Sequence, residues 1–131
     1  MKENTLFIII NLPIEVVFEY TTNPDNTHKW INSIQTEQVN ENPIKVGTEY
    51  KNTSDGKNWT TYIVTTFIPN QVFELQEKDG NYFVRYSYEK ISENKTKLIY
   101  HEWNYTKGLS APFEQDVLDN LKLVIENKHQ D

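Results

Sequence analysis

The spacing of apolar positions changes twice along this chain, and these changes predict the order of its elements. The run from Leu6 to Ile10 is short, β-branched and flanked by polar residues, which is typical of a strand that is buried on both faces or lies against a helix. Pro13 ends this strand, and Glu15 to Tyr20 predicts a short helix. A second brief helical turn is predicted over about Asp25 to Trp30.

Alternating apolar and polar positions then predict a series of strands joined by turns. The pairs Asp55-Gly56 and Asp79-Gly80 tolerate positive φ, as tight hairpins require. Successive hairpins of this kind indicate a curved antiparallel sheet of about seven strands, counting the first one. The later predicted strands are Ile34 to Val39, Thr48 to Thr53, Asn58 to Phe67, Val72 to Lys78, Tyr82 to Ile91 and Thr96 to Trp103.

The last segment returns to helical spacing and predicts a helix over Pro112 to Lys128. Such a helix is roughly 25 Å long and has to lay its apolar stripe on the concave face of the sheet. The pattern therefore predicts an α+β fold in which the sheet wraps around a long C-terminal helix. No linker or repeat divides residues 1–131, so we expect a single domain. The stripe consists of Phe113, Val117, Leu121, Val124 and Ile125.

Five short segments occur in the order and spacing of a known scaffold. They are Ile10 to Phe18, His28 to Asn32 with its Trp30, Val46 to Thr48, Phe67 to Asn70, and Asn94 to Leu98. With them, nearly the whole chain resembles the helix-grip fold of the START-like, or SRPBCC, superfamily, in particular its polyketide cyclase/dehydrase-like branch. The resemblance implies one START-like domain with a hydrophobic cavity between the curved sheet and the terminal helix. Members use this cavity for lipids, polyketides, sterols or plant hormones, so the resemblance implies a ligand but no particular reaction.

Composition excludes several classes of function. The 13 Lys and Arg residues against 19 Asp and Glu, a net charge of −6, give no electrostatic footprint for nucleic acid. The absence of cysteine excludes thiol catalysis and cysteine zinc sites, and it fits a reducing compartment. With no long apolar run and no basic leader, we expect a cytoplasmic protein without a transmembrane segment. The histidines lack metal-ligand spacing, and phosphate-loop and dinucleotide motifs are missing, so we expect no metal and no cofactor.

Period-two alternation assigns one face of each later strand to the interior. A slip of one residue inverts each set. The opposite assignment would place Ile63, Arg85, Ile99, His101 and Trp103 inside, and the last strand is ambiguous because both of its faces carry large rings. The assigned inner residues are Thr60, Tyr62, Val64, Phe73, Leu75, Glu77, Val84, Tyr86, Tyr88, Leu98, Tyr100 and Glu102.

The clustering of tyrosines on this face predicts apolar cavity walls that also carry hydroxyls for orienting a ligand. The alternative is ordinary aromatic packing between strands. Trp30 is expected at the cavity mouth. The predicted ligand-binding residues are Trp30, Tyr62, Val64, Phe73, Leu75, Tyr86, Tyr88, Tyr100, Phe113, Val117 and Leu121.

Few side chains are candidates for catalysis. A carboxylate buried among aromatic rings, at Glu102 or Glu77, would be a general acid or base with a raised pKa, although exposure is the more common state of glutamate. Arg85 either binds a ligand carboxylate, pairs with a glutamate across a strand, or lies on a solvated face. His101 and Glu102 are adjacent on a strand and point to opposite faces, so they form no dyad.

Three hypotheses of different classes follow. The first is a binder of a small apolar molecule, such as a lipid, a sterol or a polyketide-like compound. The second is a cyclase or dehydratase-like enzyme in which Glu102 or a tyrosine transfers a proton. The third is a co-chaperone-like interaction module with an exposed apolar patch that serves a partner or a homodimer, so both a monomer and a homodimer are open. The candidate patch consists of Tyr82, Phe83, Ile99 and Trp103.

Overall fold

Neighbouring strands in the sequence form hairpins, and the hairpins build one sheet. A computed structural model describes residues 2–129. Its seven antiparallel strands lie in the spatial order β1-β7-β6-β5-β4-β3-β2. This arrangement, with a long C-terminal helix, confirms the predicted α+β helix-grip fold. The strands are β1 (Lys2–Ile10), β2 (Thr36–Val39), β3 (Glu49–Thr53), β4 (Trp59–Ile68), β5 (Val72–Glu77), β6 (Tyr82–Ser92) and β7 (Lys95–Asn104).

Three helices accompany the sheet. After β1 come α1 (Ile14–Thr22) and α2 (Thr27–Trp30), with a 3-10 turn over Pro24–Asn26 between them, and α3 (Gln115–Lys128) ends the described chain. None of the helices in residues 2–129 is long and apolar enough to cross a lipid bilayer.

Most predicted boundaries differ from the observed ones by one or two residues, but two differ by more, and in both cases a distant partner sets the observed boundary. Strand β1 begins at Lys2 rather than Leu6, because its polar residues pair with β7 in an unbroken ladder that starts at Lys2 opposite Asn104. Helix α3 begins at Gln115 rather than Pro112. The carbonyl oxygen of Phe113 instead accepts from Asn4 Nδ2 on β1 at 2.9 Å, and Glu114 has an extended backbone, so Phe113 stays outside the helix.

Helix α3 packs against the edge strand β1 and against α2. The Lys122 ammonium donates to the carbonyl oxygen of Ile9 at 2.8 Å, and Asn120 Nδ2 donates to the carbonyl oxygen of Trp30 at 3.0 Å. On its inner side Leu121 and Ile125 are fully buried. Leu118 is also fully buried, although the predicted stripe does not include it. At about 1.5 Å per residue, α3 is roughly 21 Å long, and it fills the space under the β1 side of the sheet.

The inner face of the last strand is the one first assigned by alternation. Leu98, Tyr100 and Glu102 are buried at 0%, 1% and 1% exposure, whereas Ile99 and His101 lie on the outer face. Of the three alternatives for Arg85, the pair with a glutamate across a strand is observed, and it lies on the outer face. Arg85 Nε donates to Glu74 Oε1 at 2.7 Å, and Glu74 is buried under it.

The predicted apolar patch is smaller than expected. Tyr82 points to the interior, where its hydroxyl donates to Glu102 at 2.8 Å. On the outer face, Phe83 stacks on Trp103 at 5.1 Å between ring centroids, and His101 stacks on the same indole at 4.6 Å. Because these rings cover one another, Trp103 is only 9% exposed.

Candidate functional site

A cavity of about 650 Å³ opens on the inner face of the sheet. Its walls come from strands β2 to β7, from Thr21 at the end of α1, from α2 and the loop that follows it, and from residues 104–113, which we call the roof segment. Helix α3 contributes none of the lining residues, because Leu118, Leu121 and Ile125 close the space beneath it. The predicted location of the cavity, between the sheet and the C-terminal helix, is therefore wrong. The aromatic lining consists of Trp30, Tyr50, Tyr62, Phe73, Tyr82, Tyr86, Tyr100 and Phe113.

Seven of the predicted ligand-binding residues lie around this cavity: Trp30, Tyr62, Phe73, Leu75, Tyr86, Tyr100 and Phe113. The other four, Val64, Tyr88, Val117 and Leu121, lie outside its lining. Tyr88 packs against α1: its hydroxyl is 2.7 Å from Thr21 Oγ1, and its ring centroid is 5.0 Å from that of Phe18. Val64 and Leu121 belong to the closed core, and Val117 packs against that core. The cavity therefore ends where α1 and α3 meet the sheet.

Other lining residues escaped the sequence analysis. Glu37 and Tyr50 lie on β2 and β3, two short strands to which alternation assigned no face. Tyr82 belongs to the predicted outer patch, although it has the same parity as the inward residues Val84 and Tyr86. That parity is the sequence signal that indicates an inward Tyr82.

Glu102 accepts three hydrogen bonds inside the cavity wall. Its Oε2 accepts from Asn4 Nδ2 at 3.0 Å and from the Phe113 backbone N–H at 2.9 Å, while Oε1 accepts from the Tyr82 hydroxyl at 2.8 Å. The expected alternative of an exposed Glu102 is wrong, because the residue is 1% exposed. Because its donors come from β1, β6 and the roof segment, this carboxylate connects the three and has a structural role.

The roof segment is fixed at both ends. At its start, Asn104 Oδ1 accepts from the backbone N–H groups of Thr106 and Lys107 at 3.0 and 3.1 Å. At its end, the Phe113 ring stacks on Tyr100 with 4.5 Å between centroids and an interplanar angle of 9°. These contacts place the intervening residues over the sheet as one wall of the cavity.

The cavity tyrosines keep their protons in the neutral pH range. Burial raises the pKa of Tyr62 to about 12, and nearby carboxylates raise it as well. Burial also raises the pKa of Tyr86 well above its ordinary value. Within the described chain neither of these two hydroxyls has a side-chain hydrogen-bond partner. Both are therefore available to donate to a ligand or to accept from one.

Two further polar groups line the cavity, the carboxylate of Glu37 and the indole N–H of Trp30. Glu37 accepts from the Thr27 hydroxyl at 2.6 Å and from Asn52 Nδ2 at 3.1 Å. Burial raises the pKa of Glu37, and these two hydrogen bonds oppose that rise. Trp30 is 1% exposed, and its indole N–H finds no acceptor among residues 2–129. No group of three or more acidic or histidine side chains in this part of the chain is placed to hold a metal ion.

Sequence comparison now identifies the family. A family model described as "Polyketide cyclase / dehydrase and lipid transport" matches residues 1–126. The chain belongs to this family. For this polyketide cyclase/dehydrase family member, the match confirms the START-like resemblance of the sequence. A search of the curated proteins gave no match.

Solved structures show the same fold at low sequence identity. A START superfamily protein from Mycobacterium smegmatis has a TM-score of 0.74 at 11% identity, covering 98% of this chain and 99% of its own. An HSP90 activator from Plasmodium falciparum has a TM-score of 0.70 at 19% identity, covering 96% and 97%. The Aha1 dimer from Colwellia psychrerythraea has a TM-score of 0.63 at 20% identity, covering 98% and 92%. These likenesses support the fold alone.

Proposed function

We propose that this protein binds a small amphipathic molecule in the cavity beneath the roof segment. The observation that carries the proposal is the cavity itself, about 650 Å³ in volume with eight aromatic residues in its lining. Small-molecule sites in proteins typically enclose about 300–1,000 Å³ and combine apolar walls with a few polar groups. Lipids, sterols and polyketide-like compounds remain the candidate classes, and the family's description includes lipid transport.

The lining supplies both affinity and orientation. A ligand that buries about 200 Å² of apolar surface gains roughly 5 kcal/mol before the costs of association and ordering. Within residues 2–129 the hydroxyls of Tyr62 and Tyr86 have no side-chain hydrogen-bond partner, and they are placed to orient the ligand's polar atoms. The indole N–H of Trp30, which has no acceptor in the same part of the chain, is a further donor at this site.

A pair of substitutions on one strand tests the proposal. Thr60 lines the cavity from β4, and Thr61 is its neighbour on the opposite face of that strand. Calorimetric titration with a fatty acid, a sterol and an aromatic polyketide should show that at least one of them binds the unmodified protein. Thr60→Trp should abolish this binding, and the matched control Thr61→Trp should preserve it. Absence of binding by all probes, or equal loss in both variants, would overturn the proposal.

The two alternative functions receive less support. Enzymatic proton transfer by Glu102 is disfavoured because both oxygens of this carboxylate already accept hydrogen bonds. The likeness to an HSP90 activator concerns the fold, and the outer-face rings of Phe83 and Trp103 largely cover each other. A cytoplasmic location, a single domain over residues 1–131, and the choice between monomer and homodimer all stay predictions.

A further inference from the structure

The charges that line the cavity are unequal. Three carboxylates, those of Glu37, Glu77 and Glu102, stand against one basic side chain, the exposed Lys107. The ion pairs of the described chain involve Glu3, Glu41, Glu49, Glu74 and Glu126. None of the three cavity carboxylates is therefore paired with a lysine, an arginine or a histidine within residues 2–129.

These three carboxylates surround one tyrosine. Tyr62 on β4 lies directly opposite Glu77 on β5, and its ring is 6.4 Å from that of Tyr82, the tyrosine that donates to Glu102. Glu37 reaches the same region through its hydrogen bond with Asn52, since Asn52 pairs with Thr60 on β4. In agreement with this placement, the charges of all three carboxylates raise the pKa of Tyr62. The negative charges thus share one part of the cavity.

A buried carboxylate is costly unless hydrogen bonds or a cation compensate for its lost hydration. Glu102 has three donors, and Glu37 has two uncharged ones. Glu37 and Glu77 are both half-buried, so each has lost part of its hydration, and neither has a positively charged partner in the described chain. The greatest need for positive charge therefore lies between Glu37 and Glu77, next to the ring of Tyr62. An ammonium group is attracted both by carboxylates and by the faces of aromatic rings.

Building on the proposed function, we infer that the ligand carries a protonated amine beside its apolar part, seated between Glu37 and Glu77. The aromatic rings take up the apolar part. The same charges repel an ionised carboxylate, so free fatty acids and other anionic amphiphiles should bind weakly. Protonation of Glu37, whose pKa is raised by burial, is the competing way to relieve the cost of that burial, and it would weaken the preference of the cavity for a cation.

Three probes built on one carbon skeleton separate these possibilities. Naphthylethylamine, naphthylethanol and naphthylacetate present an ammonium, a hydroxyl and a carboxylate beside the same ring. In calorimetric titrations at pH 7 and low salt, we expect the amine to bind about tenfold more tightly than the alcohol, as an added cation–π and carboxylate attraction would produce. The acetate should bind more weakly than the alcohol.

Variants test whether Glu37 and Glu77 bind the ammonium group. Glu37→Gln and Glu77→Gln should each reduce the ratio of amine to alcohol affinity several-fold, because the ammonium group loses a charged partner that the hydroxyl group does not need. Glu89→Gln removes the same charge from an exposed position on the outer side of β6, and it should leave the ratio intact. Should the loss of the Thr27 and Asn52 hydrogen bonds impair folding of Glu37→Gln, the Glu77 variant decides the question.

The outcomes distinguish this inference from the proposed function. If the alcohol binds as tightly as the amine, the inference is overturned and binding in the cavity stands. If neither glutamine variant lowers the ratio, or if Glu89→Gln lowers it equally, the cation is not seated at these carboxylates and the inference is again overturned. If none of these probes and none of the lipid, sterol and polyketide probes binds, both proposals fail.

Discussion

Replacing Glu102 with alanine removes a carboxylate that accepts hydrogen bonds from three donors. Asn4 on β1, Tyr82 on β6 and the backbone of Phe113 all donate to this carboxylate at 2.8–3.0 Å. The substitution therefore releases the edge strand and one end of the roof segment together. We expect a clear loss of stability with the fold retained, because the closed core around Leu121 and Ile125 does not involve Glu102.

The size of the loss follows from the three contacts. A hydrogen bond to a charged group contributes about 1.5–3 kcal/mol, so three of them set an upper limit of roughly 9 kcal/mol. Two effects reduce this figure. Asn4 and Tyr82 are only half-buried, so water can replace part of their bonding, and removing a buried carboxylate also removes its desolvation cost. We expect a decrease of about 2–4 kcal/mol in the free energy of unfolding. For a chain of 131 residues this lowers Tm by roughly 7–15 °C.

Urea unfolding followed by circular dichroism measures this loss. Glu77→Ala is the matched control, since Glu77 lines the same cavity without an ion pair in the described chain, and its replacement should change the free energy of unfolding by no more than about 0.5 kcal/mol. Glu102→Gln retains one carbonyl oxygen as an acceptor and should fall between the control and Glu102→Ala. A loss below about 1 kcal/mol for Glu102→Ala, or an equal loss in the control, would refute the assignment of Glu102 as a structural carboxylate.

Two predictions concern polar contacts outside the cavity. Backbone N–H groups of Asn58 and Lys57 hold the pKa of Asp55 well below its ordinary value. The stability that Asp55 contributes is therefore present above about pH 4 and is lost as the pH falls through the lowered pKa. In acid unfolding, the difference in stability between the unmodified protein and Asp55→Asn should shrink below that pH, and a constant difference would contradict this. Arg85→Gln leaves the buried Glu74 without its cation and should lower the free energy of unfolding by about 1 kcal/mol, a small value because the guanidinium is exposed to solvent. A double-mutant cycle with Glu74→Gln measures the coupling energy of the pair, and zero coupling would contradict the pairing.

Local patterns determined most of the fold correctly. The meander from β2 to β7 joins neighbours in the sequence, so alternation within each strand and turn residues such as Asp55-Gly56 were sufficient to predict it. The errors lie where a distant partner decides. Polar residues near Lys2 join β1 because β7 extends beside them. Helix α3 starts late because Asn4 on β1 donates to the carbonyl oxygen of Phe113.

The candidate site was predictable to a smaller extent. Alternation identified the inner residues of β4 to β7, because period two survives small errors in strand ends. It was silent about Glu37 and Tyr50, whose strands are only four and five residues long. It also failed to locate the cavity, which depends on where α3 rests. No local pattern reveals that α3 packs toward β1 and α2 instead of over the centre of the sheet.

The position of α3 also changes the chemistry expected of the ligand. A cavity between α3 and the sheet would have been lined by residues such as Leu121 and Val64, and it would have favoured a fully apolar molecule. Because α3 fills that space, the remaining volume is lined by strands β2 to β7 and by the roof segment. There the inward residues include Glu37, Asn52 and Glu77 beside the aromatic rings. A purely apolar ligand would strip water from these groups without replacing their hydrogen bonds. The packing of one helix thus favours an amphipathic ligand over a hydrocarbon one.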